Sequence, residues 1–188
     1  IEAAGLTGKE LVVDAYCGIG TIGIVAASAA KEVIGVELNK DAVRDAVTNA
    51  KVNGEKNIRF YNNDAGKFMV QMASQNAHAD VVFMDPPRSG STEEFMDAVA
   101  ILNPDRIVYV SCNPATLARD AALLVREGGW KLLSAGVMNM FPHTAHVESI
   151  AVFEPGPKPE KIDEIDEIEI GGMTEEAEQE ARSEEPKI

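Results

Sequence analysis

The chain has 188 residues, 45% of them hydrophobic, and a formal net charge of −14 at pH 7. That length suits one domain with a tail, and no apolar run approaches the ~20 residues of a membrane-spanning helix. The acidic balance counts against a domain that grips nucleic acid by charge alone, and two cysteines without a CxxC pair provide neither a disulfide framework nor a metal site.

In chain order, residues 1–6 read as the last turn of a helix that starts upstream. Short β-branched runs then alternate with amphipathic stretches. Strands are expected at 11–15, 33–37, 58–62, 80–84, 106–111, 130–138 and 147–153. Helices are expected at 21–30, 40–52, 65–75, 92–101 and 114–126. Such alternation implies parallel strands with helices on both faces. The last two strands have no helix between them, which implies an antiparallel closing hairpin. Residues 154–188 hold 13 acids and 4 bases, no aromatics and a proline-rich start. A segment of that composition does not bury enough apolar surface to offset its ordering entropy, so a folded domain over 1–153 with a disordered acidic tail is expected. With no secretory start, the expected compartment is the reducing cytoplasm.

In an open sheet of this kind, ligands sit beyond the carboxyl ends of the strands, where strand order reverses. After the first strand comes Asp14-Ala15-Tyr16-Cys17-Gly18-Ile19-Gly20-Thr21-Ile22-Gly23, with Gly18, Gly20 and Gly23 in GxGxxG spacing. Glycines there permit a tight turn and close approach of backbone to a ligand. Glu37 ends the second strand, 17 residues after Gly20, where an acid can accept hydrogen bonds from a ribose diol. The pattern suits either NAD or S-adenosylmethionine. Asp64 follows the third strand, placed to reach an adenine amino group or to cap a helix. Asp85-Pro86-Pro87-Arg88 follows the fourth, and the prolines bias Asp85 toward an extended conformation at the crevice lip.

The fifth strand runs into Ser111-Cys112-Asn113-Pro114. Asparagine is favoured at an N-cap and proline at the first helical position, so Cys112 is expected between a strand end and a helix start. Backbone amides and the helix dipole there favour a thiolate. Arg88 and Arg119 are candidates for RNA phosphate contact, against solvated surface as the plain alternative.

Asp85-Pro86-Pro87-Arg88, Ser111-Cys112-Asn113-Pro114 and Phe141-Pro142-His143-Thr144-Ala145-His146-Val147-Glu148, in that order, resemble the RNA uracil-C5 (5-methyluridine) methyltransferase family. The resemblance covers about residues 10–153. It implies a doubly wound, Rossmann-like α/β sheet of the class I methyltransferase type, mostly parallel. It implies S-adenosyl-L-methionine as cofactor, with contacts falling on Tyr16, Thr21, Glu37, Asp64 and Asp85. Thr21 and Asp64 stand where some members have asparagine. Cys112 falls on the family's nucleophile and Glu148 on its general base. The implied partner is RNA, ribosomal 23S in preference to transfer RNA, bound mainly through upstream modules that often include an OB-like domain. An NAD-dependent dehydrogenase gives no role to the Asp-Pro-Pro and Ser-Cys-Asn-Pro segments. An amino-group methyltransferase needs no covalent cysteine, so Cys112 separates the two methyl-transfer readings.

Overall fold

The computed structural model describes residues 1–156 apart from Phe141 and Ala145. A 3-10 turn at Glu2–Ala4, closed by Gly5 in the left-handed region, stands where a helix end was expected. The elements that follow are β1 (Leu11–Ala15), α1 (Thr21–Ala27), β2 (Glu32–Glu37), α2 (Lys40–Val52), β3 (Ile58–Asn62) and α3 (Ala65–Ser74). They continue with β4 (Val81–Met84), α4 (Glu93–Leu102), β5 (Arg106–Ser111), α5 (Pro114–Arg126), β6 (Trp130–Met138) and β7 (Glu148–Pro155).

The strands form one sheet in the order β3-β2-β1-β4-β5-β7-β6. The pairs among β1 to β5 are parallel, and β7 lies antiparallel between β5 and β6. This is the doubly wound α/β arrangement with a closing hairpin that the alternation predicted. Strand order reverses between β1 and β4, so the crevice opens at their carboxyl ends.

Successive residues of a strand face opposite sides of a sheet, and β1 shows the consequence. Val13 and Ala15 enter a core with Met69, Phe95, Tyr109 and Phe153, under α3, α4 and α5. Val12 enters a second core with Ile24, Val33, Ile58 and Phe83, under α1 and α2. Covered on both faces, the central strands read as continuous apolar runs. Each fully buried side chain of this size stabilises the domain by roughly 1.5–3 kcal/mol.

Two boundaries differ from expectation by more than one residue. α1 stops at Ala27, because Ala29 N–H closes back on Ala26 O (2.9 Å) and Ser28 Oγ donates to Val25 O (2.9 Å), tightening the chain into the turn before β2. β7 runs on to Pro155, past the expected end at 153, because Glu154 still pairs with Lys131 across the hairpin (3.3 Å). The disordered tail was expected from residue 154, but Glu154 and Pro155 belong to β7, and its remainder at 157–188 lies outside the described residues.

Candidate active site

α2, α3, α4 and α5 each start with a side-chain cap, from Asn39, Asp64, Thr92 and Asn113 respectively. α1 instead starts at Gly20, which has φ 86° and no side chain to cap with. The glycine turn before it is held from below by Asp14, which is fully buried and accepts the Gly23 N–H at 2.7 Å. Gly23 permits this approach, since a Cβ there would stand 2.8 Å from Asp14 Oδ2. The other Asp14 oxygen has no partner among the described residues. Burial, offset in part by the Gly23 bond, raises the Asp14 carboxyl to about 7.

Glu37 holds the same turn from the side. One carboxylate oxygen accepts Gly18 N–H (3.0 Å) and the other accepts Asn39 N–H (2.7 Å). Tyr16 adopts φ 63°, a strained conformation for a bulky residue and one that clusters at functional sites. Its ring packs on Phe95 (centroids 5.5 Å apart) and its hydroxyl lies 3.1 Å from Ser91 Oγ. Asp64 caps α3 by accepting Lys67 N–H (3.0 Å), so the plain reading of this residue holds.

Tyr16, Glu37, Asp64 and Asp85 nevertheless line one cavity of about 490 Å³, together with Val36, Leu38 and the loop residues Pro86, Pro87, Ser89 and Gly90. That volume is within the range of small-molecule sites, ~300–1,000 Å³. Thr21 is exposed at the first position of α1 and is not among the lining residues. Of the five residues singled out for the cofactor, the fold thus brings four together.

Cys112 and Glu148 line a second cavity, about 250 Å³, with Arg88 and His146. The antiparallel register explains the meeting. Ser111, the last residue of β5, pairs with Ser149 of β7, so the next step along each chain is Cys112 on one side and Glu148 on the other. Asn113 accepts Ala115 N–H (3.1 Å) to cap α5 and donates through Nδ2 to Arg88 O (3.0 Å). One segment serves both cavities, with Asp85, Pro86 and Pro87 lining the larger and Arg88 the smaller. Packing against Asp85, and then repulsion from Glu148, raise its carboxyl to about 6. Asp85 is exposed at the lip, where water screens much of that repulsion.

Sequence reasoning left His146 out of the site and gave Arg88 only a phosphate contact; their placement in the motifs around Cys112 and Glu148 was the available signal. A third recess of about 130 Å³ lies between α4 and α5, lined by Met96, Ala100, Leu123 and Leu124 among others, away from the strand ends. Among the described residues, no group of three or more His, Cys, Asp or Glu side chains is placed to hold a metal ion, and no helix is long and apolar enough to cross a membrane.

Comparison with known proteins bears on this geometry. A family model described as tRNA (uracil-5-)-methyltransferase matches residues 2–154. An uncharacterized RNA methyltransferase of Halalkalibacterium halodurans is 49% identical over 154 residues, 82% of this chain and 33% of that protein. The 23S rRNA (uracil(1939)-C(5))-methyltransferase RlmD of Legionella pneumophila is 46% identical over 156 residues, 83% of this chain and 35% of its own. Among solved structures, the Pyrococcus abyssi tRNA (uracil-54, C5)-methyltransferase in complex with S-adenosyl-L-homocysteine superposes with a TM-score of 0.65 at 30% identity, over 81% of this chain and 36% of that one. The chain thus spans about a third of the length of these relatives. With the family model matched across nearly all the described residues, the chain belongs to the tRNA (uracil-5-)-methyltransferase family.

Proposed function

We propose that this chain is the catalytic part of an enzyme that uses S-adenosyl-L-methionine to methylate C5 of uracil in RNA. The observation that carries the reading is the shared cavity of Cys112 and Glu148, one wall away from the larger cavity lined by Tyr16, Glu37, Asp64 and Asp85. The larger cavity suits the cofactor: Glu37 for the ribose diol, Asp64 for the adenine amino group, and apolar Val36, Leu38 and Pro86 beside them. Tyr16 and Asp85 complete its wall. When bound, S-adenosylmethionine supplies an electrophilic methyl group.

The chain's own residues do the rest. Uracil C5 is too weak a nucleophile to take the methyl group unaided. The Cys112 thiolate forms a bond to C6, and the displaced π electrons enrich C5. After C5 is alkylated, Glu148 accepts its proton. The electron pair released from the C5–H bond re-forms the C5–C6 double bond and expels the Cys112 thiolate, which regenerates both ring and nucleophile. A dehydrogenase or an amino-group methyltransferase would leave the juxtaposition of Cys112 with Glu148 without a task.

Ribosomal RNA is favoured over transfer RNA as substrate because the relative named for 23S rRNA is 46% identical, against 30% for the solved tRNA enzyme. RNA contact falls mainly to modules outside this chain, given its charge of −14. The cytoplasm is the matching compartment.

The test uses the complete protein that carries this chain. Cys112→Ala should abolish both methylation and covalent adduct. Glu148→Gln should form the methylated adduct and then stall, giving a protein–RNA band that survives denaturation. RNA containing 5-fluorouridine should trap the unmodified enzyme the same way, since fluorine does not leave as a cation. Methylation that persists in the Cys112 variant would overturn the covalent mechanism.

A further inference from the structure

Arg119 and Asp120 lie a turn and a half into α5, and they reach back to the loop that walls both cavities. Asp120 is fully buried and its two oxygens are both engaged. One accepts the Tyr109 hydroxyl (2.6 Å) and the Ser91 N–H (2.8 Å). The other accepts Arg119 Nε (2.8 Å), with the Arg119 Nη2 at 2.6 Å completing a forked ion pair. From there the same Nη2 donates to Ser89 O (3.0 Å) and approaches Ser91 O (3.5 Å).

Gly90 sits between these contacts with φ +85°, and a Cβ there would collide with Arg119 Nη2 and stand 2.6 Å from Asp120 Oδ2. The loop is therefore pressed directly onto the ion pair. Its other ends are fixed as well. Pro87 O accepts Gly90 N–H (2.8 Å), Ser91 Oγ meets Tyr16 Oη, and Arg88 O accepts from Asn113. A guanidinium that spends its donors on a buried carboxylate and two main-chain carbonyls is held in one orientation.

We propose that Arg119 and Asp120 are positioning residues that hold loop 86–92 as the common wall of the cofactor cavity and the nucleophile pocket. The pair rides on the helix that begins at the nucleophile, so donor cavity and thiol are set on one rigid frame. This rests on the reading of the larger cavity as the S-adenosylmethionine site.

The experiment is calorimetric titration of the chain with S-adenosyl-L-homocysteine, paired with thermal melting. Arg119→Gln removes the fork and the loop contacts from a side chain that is 53% exposed. Tyr109→Phe removes a buried partner of Asp120 without removing a hydrogen bond to the loop. Affinity is expected to fall roughly tenfold or more in Arg119→Gln, the loss typical of charge-assisted hydrogen bonds, and to stay within twofold in Tyr109→Phe while its melting temperature drops. Arg119→Lys should recover part of the affinity, since an ammonium makes one of the contacts and not the fork. If Arg119→Gln melts lower and binds unchanged, or if affinity follows melting temperature in both variants alike, the pair is merely structural and the proposal is overturned. If the unmodified chain does not bind the ligand, the cofactor reading itself fails.

Discussion

Two cysteines sit just past two parallel strands, at the same edge of one sheet, yet in opposite chemical surroundings. Cys17, after β1, is buried at 8% exposure, with its sulfur hard against Gly35. Desolvation, then the carboxyls of Asp14 and Glu37, push its thiol far above the ordinary range. Cys112, after β5, is half-buried and opens into a cavity with Glu148, Arg88 and His146. The β1 side of the crevice is thus built to enclose and to hold, with its carboxylates turned on backbone amides. The β5–β7 side is built to present a side chain. On the function proposed above, one sheet separates binding from bond-making by which strand end carries each.

The largest effect should come from alkylation of the intact chain with iodoacetamide at pH 8. Cys112 should react at least ~1,000-fold faster than Cys17, because it opens into a cavity while burial and two carboxyls suppress the Cys17 thiolate. Peptide mass mapping gives the two rates. Comparable rates would erase the contrast.

Asp14 should be next. Its carboxyl shift from 3.8 to about 7 corresponds to an upper bound of about 4 kcal/mol. A raised folded-state pKa means that folding takes up a proton between about pH 4 and pH 7. The associated stability is fully present below about pH 4 and is lost as pH rises through about 7. Asp14→Asn keeps an acceptor for Gly23 and removes the buried charge. Urea unfolding should therefore show the variant gaining on the parent chain between pH 5 and pH 8. It should also bring the Cys17 thiol down, narrowing the alkylation ratio from the other side.

Glu37→Ala should weaken S-adenosyl-L-homocysteine binding by ~1.5–3 kcal/mol, the usual range for hydrogen bonds to a charged group. Unchanged affinity in a titration would remove Glu37 from the ribose. The smallest effect is expected from deleting residues 157–188, whose acidic, aromatic-free composition does not support a core. The melting temperature should move by no more than ~1 °C, well below the ~4–8 °C that a 1 kcal/mol loss brings in a small domain.

Much of the arrangement was legible in the sequence because it is local. β1, β3, β5, β6, α2 and α5 fall at the expected residues, since periodicity, Asn39, and the Asn113-Pro114 pair mark them within a few positions. α1 was read too long because the run Ala26-Ala27-Ser28-Ala29-Ala30 carries no glycine or proline to stop it, and the stop comes from turn hydrogen bonds instead. Four cofactor candidates share a cavity because strand ends are easy to locate. Thr21 lies outside its lining because a first helical position faces where the preceding turn aims it, and the glycines of that turn left its direction open. Asp14 looked like one more strand residue, since nothing nearby in sequence reveals a carboxylate buried under a glycine turn. Arg119 and Asp120 find their partners 28 to 30 residues upstream on another loop. No periodic pattern encodes such a contact.

The position of β7 also orders the birth of the molecule. In the sequence β5-β7-β6, the neighbour of β6 among the described strands is β7, and β7 is the last of them to be made. During synthesis β6 emerges with no strand to join, and Glu148 has no register until the following residues reach β5. Everything from β1 to α5 can assemble while Cys112 still lacks its cavity neighbour Glu148. A translation product that stops short of residue 148 therefore carries Cys112 without Glu148. On the mechanism proposed above, it could methylate C5 and then have no group in place to take the C5 proton.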